Sequence, residues 1–320
     1  MDDRNAGWSG VGWASWKDFD LVRARLDAGA DPNSGQVVYE HPLHAAAACG
    51  SPEVVAELAR RVDDVDAMSE GRTALWRAVH TNNHDNARAL VDAGADPWLP
   101  MMSSWSPGRL SLAGPEPSLF GTPPEGVGLS PEEAADAAEA PRLTEALGQL
   151  WTEGTGLACV VGIDAAEAAR RLEALPLEDA SLVDAAADFA MDLDESLMII
   201  GATTVPGGCV VTQPWGFAPA ATGVVERLSK GTVCFGLYEN PKSGSQGSLT
   251  RDGVAERWGL SPAGEAWEDD SAKEVLFSYL YPEDAVAYSC AYVGLKLTDP
   301  RAVTGPADLW LRLPHRDYVY

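Results

Sequence analysis

A repeat of 32 or 33 residues near the start of the chain constrains its fold more than any other feature. Copies of one segment occur at three places: RLDAGADP at 25–32, LARRVDDVDA at 58–67 and LVDAGADP at 90–97. A second element keeps the same spacing, with HPLH at 41–44, TALW at 73–76 and Ser106–Pro107. Periods of this size are typical of solenoids, in which each unit buries its apolar face only against neighbouring units.

The stretch HPLHAAAACGSPEVVAEL at 41–58 is the most complete unit and predicts a pair of short helices. Pro42 suits the first position of a helix, and Ser51 suits the cap of the helix that follows. We expect Gly50 to end the first helix in the left-handed conformation, with Asn82 in that role in the next unit. The predicted buried positions are Leu43, Ala46, Val54, Val55, Leu58, Leu75, Ala78 and Leu90.

Residues 15–113 resemble the ankyrin repeat family, because both the period and the motif agree. The family's units carry T-P-L-H-x-A-A, a glycine turn, an apolar second helix and G-A-D, and HPLHAAAACG is the best match to its first half. The resemblance implies an α-solenoid over 1–113 that binds another protein. The first unit lacks a recognisable T-P-L-H, and the fourth stops at Gly114–Pro115.

The family binds partners through its hairpin fingers and the exposed side of its first helices. The fingers here correspond to Gln36–Glu40, Met68–Arg72 and Leu99–Trp105. The residues predicted to form a partner-binding strip are Tyr39, Arg72, Arg77, His80, Met101, Met102 and Trp105. A competing interpretation is that Met101, Met102, Trp105 and the neighbouring Trp98 pack against the second domain.

A segment rich in proline and glycine follows the repeats. Residues 114–131 contain five prolines and four glycines, which no regular element would accept. An alanine- and acid-rich helix should follow to about residue 150, so 114–150 is predicted to be a linker with one helix.

The remaining part, 151–320, has the pattern of an α+β domain with an antiparallel or mixed sheet. Strands are predicted at 157–162, 196–203, 207–213 and 232–239, and helices at 165–175 and 181–191. Strand and helix stay undecided between 285 and 296. The strand-to-helix stretch GIDAAEAARRL and the tract around Trp310 resemble an uncharacterised actinobacterial domain that often follows ankyrin repeats, with no established activity.

The net charge indicates which partners to expect, and the cysteine content indicates the cellular compartment. The net charge is −25, and both 1–120 and 121–320 are acidic, so a phosphate backbone would be repelled and nucleic acid is an unexpected partner. Five cysteines without a CxxC pair favour neither disulfides nor zinc. The first ten residues lack a basic and an apolar region, and no apolar run is long enough to span a bilayer. We therefore expect a cytoplasmic protein that does not bind membranes.

Catalytic and metal-binding signatures are absent from the sequence. It contains no GxxxxGK[ST], no HExxH and no GxSxG motif. The histidine pairs His41/His44 and His80/His84 have no evident third ligand, and the acidic groups at 192–195 and 268–270 lack a calcium-loop glycine. We expect no cofactor, no metal and no catalytic residue.

The sequence therefore predicts an ankyrin repeat adaptor or regulator that binds another protein. Two alternatives stay open. The first is an immunity or antitoxin-like acidic inhibitor of a basic protein, since strong negative charge speeds association with a cationic target. The second is that 151–320 is an enzyme or small-ligand binder without a sequence signature. A deep polar pocket in 151–320 would favour the second, and a broad acidic patch without a cleft would favour the first.

Overall fold

The computed structural model describes residues 7–34, 41–177, 181–183 and 193–318. Contacts between residues divide the chain into two compact units. The first unit comprises the residues up to 134 together with Ala266–Tyr279, and the second comprises Ala135–Glu265 and the residues from Leu280 onward. The first unit is thus built from two stretches that are far apart in the sequence.

The repeat region of the first unit is helical, as predicted. A 3₁₀ turn at Trp13–Lys17 precedes the helices α1 (Phe19–Asp27), α2 (Pro42–Cys49), α3 (Pro52–Ala59), α4 (Ala74–His80), α5 (His84–Asp92) and α6 (Pro107–Ser111). The helix α7 (Pro131–Leu147) follows, and the helix α11 (Ala272–Leu280) begins in the second stretch.

Hydroxyl side chains cap the helices where the repeat motif places them. Ser51 accepts a hydrogen bond from the backbone N–H of Val54, and Thr73 accepts one from Trp76. These bonds satisfy N–H groups that have no partner within the helix. All eight positions predicted to be buried are at most 3% exposed, which confirms the stacked helical hairpins.

One detail of the turn after α2 differs from our prediction. Gly50 has φ −82° and ψ −174°, which is extended backbone and not the left-handed conformation. Glycine is needed there for another reason, because a Cβ atom would lie 2.6 Å from the carbonyl oxygen of Ala46 and 2.9 Å from that of Trp16. Asn82 does adopt the left-handed conformation in the next unit, with φ 55°.

Buried aromatic side chains cover the start of the stack. Trp8 and Trp16 are 1% and 2% exposed, with ring centroids 5.5 Å apart, and the indole N–H of Trp8 donates to the carbonyl oxygen of Asp31. Trp13 from the same turn is 70% exposed. Two of the three early tryptophans therefore close the open end of the solenoid, as a short repeat array requires.

The second unit contains an eight-stranded antiparallel sheet, which confirms the α+β prediction. The strands are β1 (Gly156–Val161), β2 (Leu175–Pro176), β3 (Ile199–Val205), β4 (Gly208–Gln213), β5 (Val233–Asn240), β6 (Gly244–Arg251), β7 (Val254–Leu260) and β8 (Leu309–Arg312). Their order is β2-β8-β3-β4-β1-β5-β6-β7, so among the described strands β2 and β7 form the edges.

Helices of the second unit pack on the sheet. They are α8 (Ala165–Leu172), α9 (Leu193–Ser196), α10 (Thr222–Leu228), α12 (Ala285–Tyr292) and α13 (Arg301–Thr304). Apolar residues of α8 and α10 bury one core with the strands β1, β3, β4 and β5. Phe235 of β5 contacts Tyr288 and Tyr292 of α12, with ring centroids 6.0 and 5.3 Å apart.

The predicted strands differ from the observed ones by one to three residues at their ends. The undecided stretch between 285 and 296 is mostly the helix α12. Residues 181–183 are helical, and the rest of the helix predicted at 181–191 lies outside the described residues.

Candidate protein-interaction surface

The structure places the predicted strip residues at very different depths. Tyr39 lies outside the described residues. The side chains enclosed by the protein are Arg72 (1% exposed), Arg77 (9%), Met102 (4%) and Trp105 (0%), whereas His80 and Met101 are half-buried. Arg77 was expected to be exposed on its helix, and the structure instead buries it. Most of the predicted strip therefore has little surface left for a partner.

Trp105 is held inside the first unit by polar and apolar contacts. Its indole N–H donates to the carbonyl oxygen of Ala272 over 2.9 Å. The guanidinium carbon of Arg109 lies 3.9 Å from the centroid of its ring, and Arg109 also forms an ion pair with Glu133. A buried indole N–H needs an acceptor, and the backbone at 272 supplies it. The structure thus supports internal packing for Trp105.

His80 contacts the same distant stretch of chain. Its Nε2 lies 3.3 Å from the hydroxyl oxygen of Ser278, and its ring centroid lies 6.0 Å from that of Tyr279. The Tyr279 hydroxyl donates to Oδ1 of Asn82 over 3.2 Å. Burial raises the pKa of Tyr279, so it stays a neutral donor at physiological pH. The left-handed Asn82 thus has a second role as an acceptor.

Arg72 at the second finger meets the start of this stretch. Its guanidinium carbon lies 5.0 Å from the ring centroid of Trp267, and a guanidinium nitrogen lies 3.8 Å from Oε2 of Glu70. The backbone carbonyl of Arg72 accepts a hydrogen bond from Nε2 of the buried His44 over 3.0 Å. A Cβ atom at Gly71 would lie 2.6 Å from the carboxylate of Glu268.

We call Ala266–Tyr279 the strap, because these residues lie along the strip that the ankyrin resemblance assigns to a partner. The strap contacts the second finger at Arg72, the first helix of that unit at His80 and the third finger at Trp105. The chain therefore occupies much of this surface with its own residues.

A smaller surface, formed by the second finger and the start of the strap, stays open to solvent. We call it the acidic finger surface, and it consists of Met68, Glu70, Trp267, Glu268 and Asp269, all of them exposed. Met68 and Trp267 are each 49% exposed, which is high for large apolar side chains. Glu70 and Trp267 each contact Arg72, and Glu268 lies against Gly71 of the same finger. Exposed apolar groups surrounded by charge are typical of binding sites.

The sequence singled out parts of this surface without joining them. The repeat motif places Met68 and Arg72 on the second finger, whereas the acidic group at 268–270 was weighed as a metal site. Trp267 was missed. Its position beside three acidic residues was the available signal, although nothing local indicated that it would lie against a finger two hundred residues earlier.

The other candidate features have ordinary structural roles. The Trp98 ring contacts Phe120 in a T-shaped arrangement at 6.5 Å, so it packs against the proline-rich segment. Among the described residues, no three histidine, cysteine or acidic side chains are grouped to hold a metal ion. In that same part of the chain, no helix has the length and apolar character needed to cross a bilayer.

Comparison with known families supports the assignment of the repeats. A family model described as ankyrin repeats matches residues 12–100 with three copies. Residues 12–100 are therefore ankyrin repeats. No curated protein matches the chain. The resemblance of the C-terminal part to an actinobacterial domain stays a prediction.

Proposed function

We propose that the first unit binds a cationic protein through the acidic finger surface. The observation that carries this proposal is the exposure of Met68 and Trp267 among the carboxylates of Glu70, Glu268 and Asp269. Ankyrin repeats bind proteins, and these residues lie on and beside the second finger, where the family makes contacts. Trp105 is left out of the proposed site, because its contact with the strap buries it.

The chemistry of the surface favours arginine or lysine on the partner. Tryptophan is the side chain most attractive to a cation above its ring, and it is enriched among residues that dominate interface energies. One part of the Trp267 ring already lies near Arg72, while about half of its surface is open. The net charge of −25 would speed the approach of a cationic partner and disfavour nucleic acid.

The role that we propose is binding without catalysis, as an adaptor or regulator in the cytoplasm. A second candidate is an immunity or antitoxin-like inhibitor of a basic protein. The acidic finger surface favours this candidate to the same degree, because inhibition needs only that the bound partner lose access to its target. Loss of the partner's own activity at one-to-one stoichiometry would distinguish an inhibitor from an adaptor.

The test begins with a partner purified from the native host by pull-down and identified by mass spectrometry. Titration calorimetry then compares the wild type with Trp267→Ala and with the isosteric Glu268→Gln. We expect Trp267→Ala to weaken binding by at least tenfold, about 1.4 kcal/mol, while the melting temperature stays nearly unchanged. Trp13→Ala is the matched control, because Trp13 is exposed at the other end of the repeats. Equal affinities for the wild type and Trp267→Ala would refute the proposal.

A further inference from the structure

The second unit contains a cleft of about 590 Å³ at the β5–β6–β7 end of the sheet. Three aromatic side chains line it, namely Phe217, Tyr238 and Trp258. Phe217 and Trp258 are 42% and 56% exposed, although both are large apolar residues. Pockets that bind small molecules are of this size and combine aromatic walls with a few polar groups.

A β-bulge explains how the sheet forms this cleft. Ser248 of β6 pairs with Trp258, whereas the preceding Gly247 pairs with Leu260, so Gly259 is an extra residue in β7. Gly259 has φ +67°, the left-handed conformation that bulges often place on glycine. Because residues directly opposite each other share a face, Trp258 stands beside Ser248. Bulges are frequent next to binding sites, where they redirect a side chain.

The polar groups of the cleft are neutral. Besides the aromatic residues, its lining includes the hydroxyls of Ser243, Ser245, Ser248 and Ser261 and the side-chain amide of Gln246. Among the residues that the structure describes along this lining, none is an arginine, lysine, histidine, aspartate or glutamate. A phosphate or carboxylate ligand would have no cation to pair with there, and a cationic ligand would have no carboxylate.

We propose that this cleft binds a neutral carbohydrate. A sugar ring has an apolar face of C–H groups that packs on an aromatic ring, and its hydroxyls both donate and accept hydrogen bonds. Exposed Trp258 and Phe217 offer the rings, while serine hydroxyls and the Gln246 amide offer both donors and acceptors. The described lining residues offer no cation to pair with the charged group of a sugar phosphate or uronic acid, which favours a neutral sugar.

A proline-rich peptide is the other ligand class that aromatic grooves recognise. The geometry favours it less, since the rings of Phe217 and Tyr238 meet edge to face at 64°, with centroids 6.0 Å apart. These two rings thus form no parallel-walled slot for a proline ring.

The experiment uses the full chain and four neutral probes: cellohexaose, maltohexaose, xylohexaose and chitohexaose. Saturation-transfer NMR detects binding, and titration calorimetry measures affinity. We expect at least one probe to bind and Trp258→Ala to weaken that binding by at least tenfold. Trp151→Ala is the matched control, because Trp151 is 83% exposed and does not line the cleft. Gln246→Ala is a second cleft variant that removes hydrogen bonds without touching an aromatic ring.

Specific outcomes would overturn the proposal. One is that none of the four probes binds. Another is that binding is equally weakened by Trp151→Ala, or is unaffected by both Trp258→Ala and Gln246→Ala in variants whose thermal melts match the wild type. Binding of a decaproline peptide that depends on Trp258, with no sugar bound, would assign the cleft to peptides instead.

Discussion

Trp105 was predicted to contact a partner, but the structure buries it inside the first unit. It is fully buried, with its indole N–H bonded to Ala272 and Arg109 above its ring. We predict that Trp105→Ala lowers the free energy of unfolding by about 3–5 kcal/mol, as large aromatic truncations in cores do. Denaturant unfolding measures this loss. Trp13→Ala, an exposed control, should change stability by less than about 0.5 kcal/mol. A stable Trp105→Ala variant would return this residue to the list of partner contacts.

A second prediction at the scale of one residue concerns the lowered pKa of His44. Burial lowers its pKa from 6.5 to about 4, although the hydrogen bond to Arg72 partly opposes this. The folded protein therefore binds fewer protons here than the unfolded chain between these two pH values, so acid favours unfolding. This contribution is fully present above pH 6.5 and is lost as the pH falls toward about 4, by roughly 3 kcal/mol.

The measurement compares the wild type with His44→Gln, whose amide N–H₂ is still able to donate to the Arg72 carbonyl. The free energy of unfolding of both proteins is measured between pH 8 and pH 4. Above pH 7, where the imidazole is neutral, it should change with pH at the same rate in both. Below that, the wild type should lose stability faster than the variant, with a difference of roughly 3 kcal/mol by pH 4. Parallel curves over the whole range would show that His44 does not titrate in this way.

Residue-level predictions from the sequence succeeded where the cause is local. The cap at Ser51 and the left-handed Asn82 depend only on nearby backbone, and both are present. Gly50 was correctly singled out for the wrong reason. It is required by the close approach of two carbonyl oxygens, one from the nearby Ala46 and one from Trp16, and no local pattern reveals the second.

At the scale of elements, the strap is the part of the first unit that the repeat period does not supply. It gives Trp105 an acceptor and covers His80 and Arg72. We predict that a fragment of residues 1–134 melts at least about 10 °C below the first transition of the full chain, because it lacks the contacts that the strap makes with these residues. A synthetic peptide of residues 266–280 added to the fragment should raise its melting temperature.

The control is the same peptide with Phe277 and Tyr279 replaced by serine, which keeps its charge but removes two side chains that are almost fully buried. This peptide should not raise the melting temperature. A fragment as stable as the full chain would mean that the repeats need no contribution from the strap.

Periodicity in the sequence predicts the repeat helices and the strands β1, β3, β4 and β5, whereas β2, β6, β7 and β8 were not predicted. It does not indicate which distant segment completes a unit. The tract from 272 to 292 alternates weakly and holds two helices that are buried over most of their lengths, so its apolar residues show no single face. The acidic finger surface was missed for the same reason, since three of its five residues come from the strap.

At the scale of the whole molecule, the net charge of −25 affects every encounter with a partner. We predict that association with a cationic partner slows by at least about tenfold between 20 and 500 mM salt, while dissociation changes little. Stopped-flow mixing across this range measures both rates. Association that is independent of salt would show that the partner does not use the acidic character of the chain.

The fold class was predictable at this scale, whereas the cleft in the second unit was not. The ankyrin period and the change to mixed helix and strand give the α-solenoid followed by an α+β domain. The cleft depends on strand order and on the bulge at Gly259, which set Trp258 beside Ser248. The pairing register depends on two strands together, so the sequence of β7 alone does not predict that Trp258 lies opposite Ser248.

Because the strap is encoded after most of the sheet, the order of synthesis matters for this protein. The ribosome makes roughly 130 residues between the two stretches of the first unit, which takes roughly 7–26 s at ordinary elongation rates. During this interval the indole of Trp105 has no backbone acceptor from the strap. A chain that stalls or is cut before residue 266 keeps that site uncovered. Because exposed apolar surface makes partly folded chains prone to aggregation, we expect chains that end before residue 266 to aggregate more readily than chains that contain the strap.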